Sequence, residues 1–237
     1  MKIYLLGILR KLLEFANNIL KVKSQSKSPA ELYLDTVSRE SYEIFKDEFK
    51  NSYVFTDDES IRTFAINEAI KKFSKEKLFL EFGVYKGNSI NLFAKYLKNI
   101  DAKIYGFDSF VGLKDEWITN NFHAKGHFNL NKNKPKILSN IELIDGWVED
   151  TIDNFIEKNI EKKIGFVHFD MDTYSSTKLI LEKIKKYLEP GAVILFDEFY
   201  GFPNWEKYEF KAFKEVFSNK EFKYIAFANR QACIRIN

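Results

Sequence analysis

Two strand-like runs, Phe222–Ala228 and Gln231–Ile236, close the sequence with only Asn229 and Arg230 between them. That gap permits a hairpin but not the crossover helix a parallel pair needs, so the last strand is expected to run antiparallel. Five earlier runs differ in kind. Leu78–Phe82, Ile104–Phe107, Ile141–Ile144, Ile164–Phe169 and Ala192–Phe196 are short and continuously apolar, and helical patterns separate most of them. Runs of this type predict parallel strands buried on both faces, with helices above and below the sheet. Five parallel strands followed by an antiparallel hairpin is an unusual plan for a nucleotide-binding dehydrogenase.

Composition narrows the class further. With 237 residues, 45% hydrophobic and 16% aromatic, the chain can bury a full core and is not disordered. The single cysteine, Cys233, can form neither an internal disulfide nor a cysteine-based zinc site, and reads as a small buried apolar residue. Residues 1–27 hold Lys2, Arg10, Lys11, Lys21, Lys23 and Lys27 against Glu14 alone, whereas the whole chain is only +3. A near-neutral body argues against nucleic acid as a partner. A cytoplasmic location is expected.

The basic tail carries Leu5, Ile8, Leu9, Leu12, Ile19 and Leu20 at helical spacing. Its longest apolar run is too short to span a bilayer, and Arg10 and Lys11 interrupt it in a way that argues against a signal peptide. Three roles stay open: packing on its own domain, packing on a second subunit of a homo-oligomer, or peripheral membrane contact through residues 1–23. Lys23 to Pro29 reads as a polar linker, and a second helix is expected over Glu31–Phe49. Thr56 and Glu59 match a capping box ahead of a helix carrying Ile61, Phe64, Ala65, Ala69 and Ile70.

Chemistry is expected where the strands end. The first runs into LEFGVYKGNS, whose Gly83 and Gly87 allow close backbone approach and whose Ser89 stands at a helix start. Dinucleotide and Walker A spacings are absent. Asp108 closes the second strand, where a carboxylate can hold ribose hydroxyls, so the two motifs together indicate an adenosine-containing ligand. FVHFDMDTYSST and VILFDEFYG each end an apolar run in carboxylates. If their strands are neighbours, Asp170, Asp172, Asp197 and Glu198 converge, and a divalent cation is the natural compensation. Oxygen donors favour Mg²⁺, Mn²⁺ or Ca²⁺ over zinc. His168 reads as a core residue, His123 and His127 as loop residues, and Trp205–Phe217 as core.

In order, LEFGVYKGNS, FDSFVGL, DGWVEDT, FDMDTYSST and PGAVILFDEFYG resemble the macrocin and mycinamicin O-methyltransferases over about Tyr53 to Tyr200. The resemblance implies an α/β fold: a Rossmann-like class I methyltransferase sheet, mostly parallel with an antiparallel C-terminal hairpin strand and helices on both faces. Residues 1–50 would be an N-terminal helical extension with a polar linker, and 51–237 the S-adenosylmethionine-dependent domain. It implies that Glu81, Gly83 and Tyr85 line the methionine end of S-adenosylmethionine, with Gly87 and Ser89 in the same turn and Thr56 assisting. Asp108 and Ser109 would form the ribose wall, and Gly146, Trp147 and Asp150 would stand near the adenine or the substrate entrance. Asp170, Asp197 and Glu198 would hold Mg²⁺ or another divalent cation, with Asp170 the catalytic proton acceptor. The acceptor would be a hydroxyl of a small molecule or glycan. Thr173 stands where catechol-type enzymes carry a lysine base, so no lysine base is expected.

Two rival readings remain. Asp170-Met171-Asp172 also resembles the metal site of a nucleotide-sugar glycosyltransferase, although that leaves EFGVYKGNS, FDSF and the hairpin unexplained. A non-catalytic interaction protein on the same fold would be favoured if the carboxylates did not converge.

Overall fold

The structure, a computed structural model, describes residues 10–14, 16 and 27–237. The chain divides into two compact units, Met1–Val37 and Ser38–Asn237. In the first, residues 10–14 and 16 are helical; the rest of the helix expected over 1–23 and most of the linker from Lys23 lie outside the described residues. Helix α1 (Pro29–Lys50) opens with a reciprocal cap. Ser28 Oγ accepts from the Glu31 amide at 3.3 Å while the Glu31 carboxylate accepts from the Ser28 amide at 2.7 Å. No such box forms at Thr56 and Glu59. Asp57 caps helix α2 (Asp58–Ile70) instead, its carboxylate accepting from the Ser60 amide at 2.8 Å and the Ser60 hydroxyl at 2.7 Å. A charged acceptor at a helix N-terminus outcompetes the neighbouring threonine hydroxyl.

Ten strands follow in the second unit: β1 (Tyr53–Phe55), β2 (Leu78–Phe82), β3 (Ile104–Asp108), β4 (Trp117–Ile118), β5 (Phe122–His123), β6 (Ile141–Asp145), β7 (Ile164–Phe169), β8 (Leu188–Phe196), β9 (Phe222–Ala228) and β10 (Gln231–Ile236). Eight form one sheet in the order β1-β9-β10-β8-β7-β2-β3-β6, and β4 pairs with β5 in a separate small hairpin. The central strands β6, β3, β2, β7 and β8 are mutually parallel, and β10 runs antiparallel to both β8 and β9, as the sequence predicts. Every residue of β2 and β7 is buried, which is why these strands read as unbroken apolar runs. Helices α2 and α3 (Asn88–Leu97) contact each other, as do α4 (Val148–Lys158), α5 (Tyr174–Ile184) and α6 (Glu209–Val216) in series.

An aromatic cluster packs beside β9. Phe45, only 2% exposed, lies within 6.1 Å, centroid to centroid, of the rings of Phe199, Tyr200, Trp205, Phe210, Tyr224 and Phe227. Residues 38–50 therefore contribute to the core of the second unit. Trp205, Phe213, Phe217 and Cys233 are buried as expected. Among the described residues, no helix is long and apolar enough to cross a membrane.

Candidate active site

Parallel strands deliver their C-terminal residues to one edge, and β2, β3, β6, β7 and β8 all end at the same edge here. After β2 the backbone enters left-handed conformations at Gly83 (φ 90°), Tyr85 (φ 45°) and Gly87 (φ 79°). Asp108, at the end of β3, fixes this turn. Its Oδ2 accepts from the Val84 and Tyr85 amides at 2.9 and 2.7 Å, and its Oδ1 from the Phe110 amide at 2.7 Å. A carboxylate has about four acceptor positions, so three backbone bonds leave room for one more.

A cavity of about 350 Å³ opens at this edge. Gly83, Tyr85, Asp108, Ser109, Gly146 and Trp147 line one part of it, and Asp170, Asp197 and Glu198 line the other. The remaining sequence candidates lie outside the lining. Glu81 is fully buried within the sheet, where its carboxylate accepts from Ser89 Oγ at 3.0 Å and meets His168 Nδ1 at 3.2 Å. Gly87 caps helix α3, with Pro135 3.3 Å from where a Cβ would stand. Thr56 and Asp150 are exposed. Glu149 takes the place expected of Asp150, because the turn into α4 points the preceding residue inward. It pairs with Lys114 at 3.0 Å and accepts from Ser176 Oγ at 3.2 Å.

Asp170, Asp172, Asp197 and Glu198 do converge on the cavity. Asp172 is 7% exposed in a left-handed conformation (φ 61°), a backbone state that non-glycine residues keep only where the surroundings enforce it. Asp197 is the compensated member. Although burial opposes ionisation, His168 Nε2 at 3.5 Å and the Arg62 guanidinium hold its carboxyl below the usual range, and Gln231 Nε2 also donates to it. His168, despite complete burial, is pushed up to about 10 by Asp197 and Glu81 on either side. Burial raises Asp170 well above an ordinary carboxyl, with the charges of Asp197 and Asp172 adding to it. Asp172 is raised by burial and by Glu209. Glu198 is lifted to about 7 by burial against the opposing pull of Arg230, which lies 3.3 Å away.

Ligand atoms of His168, Asp170 and Asp197 lie within 4.8 Å of one another, a spacing that could hold a metal ion. Glu198 lines the same cavity but is turned to Arg230. Trp117 and Phe128 form an aromatic wall. His123 stacks on Trp117 at 4.8 Å, and His127 meets Phe128 at 4.4 Å, so both histidines stand behind that wall rather than in the cavity. Arg62, Glu149, Glu209 and Arg230 were not legible as site residues: the first is one cation on an amphipathic helix, and the last sits in a hairpin turn. The acid-rich strand ends were the available hint that nearby cations must exist.

Residues 80–199, just over half the chain, match the family described as a methyltransferase domain. Among solved structures, the chain resembles CalS11, a calicheamicin methyltransferase, with a TM-score of 0.63 at 21% identity, covering 94% of this chain and 91% of that one. An apo structure of CalS11, described as a TDP-rhamnose 3'-O-methyltransferase, gives 0.56 at 21% identity over 89% and 96%. The O-methyltransferase NovP gives 0.56 at 14% identity over 88% and 99%. No curated protein matches. The structural likenesses speak for the fold, and the matched residues run from the middle of β2 past the carboxylates that close β8. The chain belongs to the methyltransferase-domain family.

Proposed function

We propose that the protein is an S-adenosylmethionine-dependent O-methyltransferase that acts on a sugar hydroxyl with the help of a divalent cation. One observation carries the reading: a single cavity joins the Gly83–Tyr85 turn and Asp108 to the carboxylates of Asp170, Asp172, Asp197 and Glu198. CalS11, a protein of similar fold described as a TDP-rhamnose 3'-O-methyltransferase, supports the choice of a sugar oxygen as acceptor, and NovP, an O-methyltransferase, supports an oxygen as the methylated atom.

S-adenosylmethionine, when bound, would supply a sulfonium methyl group that an acceptor oxygen held in line attacks, the C–S bond breaking and S-adenosylhomocysteine leaving. The Gly83 turn, Asp108, Ser109, Gly146 and Trp147 would bind it. A divalent cation such as Mg²⁺, if bound there, would supply Lewis acidity that orients adjacent hydroxyls and makes them more acidic. Asp170, Asp197 and Glu198 would hold that ion. Their chemistry fits: they are oxygen donors gathered on one cavity, and burial together with neighbouring carboxylates raises Asp170 and Glu198, a cost that a bound cation would relieve. Asp170 takes the proton that the acceptor hydroxyl loses, and Asp172, in the same cavity, stands ready for the same role. Trp117, Phe128 and Met171 give the cavity its apolar lining, which would limit water around the reacting atoms.

Calorimetric titration with S-adenosylhomocysteine, with and without Mg²⁺, tests the cofactor class directly. Micromolar binding is expected, and its absence in both conditions overturns the reading. Incubation with S-adenosylmethionine and a panel of nucleotide sugars and glycosides, followed by mass spectrometry, then identifies the acceptor. Asp170→Asn is expected to bind S-adenosylhomocysteine normally while losing most turnover; near-normal turnover would remove Asp170 from its role.

A further inference from the structure

Glu209 is the first residue of helix α6 and has no exposed surface at all. A carboxylate in such a place is costly, and an apolar residue would pack there more cheaply. Its position in the helix offers some relief, since the α6 N-terminus favours negative charge. What its two oxygens do is more specific. Oε1 accepts from the Met171 amide at 3.3 Å, and Oε2 accepts from the Glu198 amide at 3.3 Å.

Those amides belong to the two loops that carry the candidate metal carboxylates. Met171 follows Asp170 at the end of β7, and Glu198 follows Asp197 at the end of β8. The strands themselves are tied up to this point: the Asp170 amide donates to the Phe82 carbonyl at 2.8 Å, and the Asp197 amide to the Phe169 carbonyl at 2.9 Å. One residue further on, both loops turn toward α6 and meet the two oxygens of one side chain. The spacing between the Asp170 loop and the Asp197–Glu198 loop is thus bridged by a single rigid planar group. Glu209 lies outside the cavity lining, and its hydrogen bonds reach the site through those two backbones.

We infer that Glu209 is a positioning residue that clamps the β7 and β8 loops so that Asp170, Asp197 and Glu198 are held at the separation a divalent cation needs. This rests on the metal-assisted reading above and goes beyond it by naming the residue that presets the ligand geometry. Groups that orient metal ligands without touching the metal typically matter by 10–100-fold in affinity.

The test uses the full chain with Mn²⁺ as probe, free ion being counted by electron paramagnetic resonance, and S-adenosylhomocysteine binding measured separately without metal. Glu209→Gln keeps the shape but sets an amide NH₂ against one of the two backbone donors, so one half of the clamp is lost. Expected is Mn²⁺ affinity roughly tenfold weaker in Glu209→Gln and weaker still in Glu209→Ala. S-adenosylhomocysteine affinity should stay as in the wild type, and the Met171 and Glu198 amides should exchange with deuterium faster. A purely structural role would lower both affinities together. The exposed Glu215→Gln on the same helix serves as control and should change neither. Equal Mn²⁺ affinity in wild type and Glu209→Gln overturns the inference while leaving the metal reading intact. No Mn²⁺ binding by the wild type overturns the metal reading and the clamp with it.

Discussion

A Cβ on Gly83 would stand 1.9 Å from the carbonyl oxygen of Asp170. The turn after β2 and the end of β7 are therefore packed backbone against backbone, and the cofactor side of the cavity is fixed directly to the side that carries the carboxylates.

Gly83→Ala should be among the most damaging small substitutions in the chain. It combines a left-handed φ of 90° with a contact against backbone that cannot rotate away. Strain of this kind costs about 1–3 kcal/mol before the contact is counted. Urea denaturation should show the loss, and S-adenosylhomocysteine binding should fall with it. An unchanged midpoint would show that the two backbones are not in contact.

Asp108→Asn should loosen the cofactor turn. The amide offers one oxygen where the carboxylate uses both to receive the Val84, Tyr85 and Phe110 amides. At least one of those donors is left without its acceptor, at about 1–3 kcal/mol. Calorimetry should show weakened S-adenosylhomocysteine binding, and proteolysis near Tyr85 should quicken. Wild-type affinity in this variant would mean that the turn holds its form without Asp108.

The sequence showed the sheet better than it showed this turn. Continuous apolar runs reveal β2 and β7 because both faces of each are covered, and the two-residue gap at Asn229 and Arg230 reveals the antiparallel strand. Strands β1, β4 and β5 were not visible because two or three residues establish no period. At the site, carboxylates at strand ends could be read in order, since a parallel strand must deliver its last side chains to the common edge. What they bond to could not. Asp108 turns to the neighbouring loop's amides, Asp197 to Arg62 from a helix far away in sequence, and Glu81 to His168 across the sheet. Partners chosen by register and long-range packing leave no local spacing to find.

Glu198 should make the metal-free protein less stable as pH rises. Its folded-state pKa of about 7 lies above the ordinary 4.5, so the folded state holds the proton more tightly than the unfolded one. That contribution to stability is present below 4.5 and is lost as pH rises toward 7, the sense opposite to a salt-bridged carboxylate. Thermal midpoints measured without metal should decline across that window, and Glu198→Gln should flatten the decline. Added Mn²⁺ should raise the midpoint more at pH 7.5 than at pH 5. Identical slopes in wild type and variant would relocate the titration to another group.

Phe45→Ala should destabilise the domain even though the residue lies ahead of the first strand. Six aromatic rings surround it, and truncating a buried phenylalanine costs about 3–5 kcal/mol. Chemical denaturation of the full chain should record the loss. A negligible change would mean that residues 38–50 are an appendage and not part of the core.

Strand β10 has a consequence for how the molecule is made. It is synthesised after every other strand of the sheet, yet its place is between β8 and β9, not at a margin. Until it emerges, β8 has a bare edge and β9 with β1 has no bonded path to the rest of the sheet. The parallel half can assemble during translation, but closure waits for Gln231–Ile236, and with it the seating of the Arg230 and Gln231 side chains against Glu198 and Asp197. The last side chains to reach the acidic edge are therefore supplied by the last hairpin of the sheet.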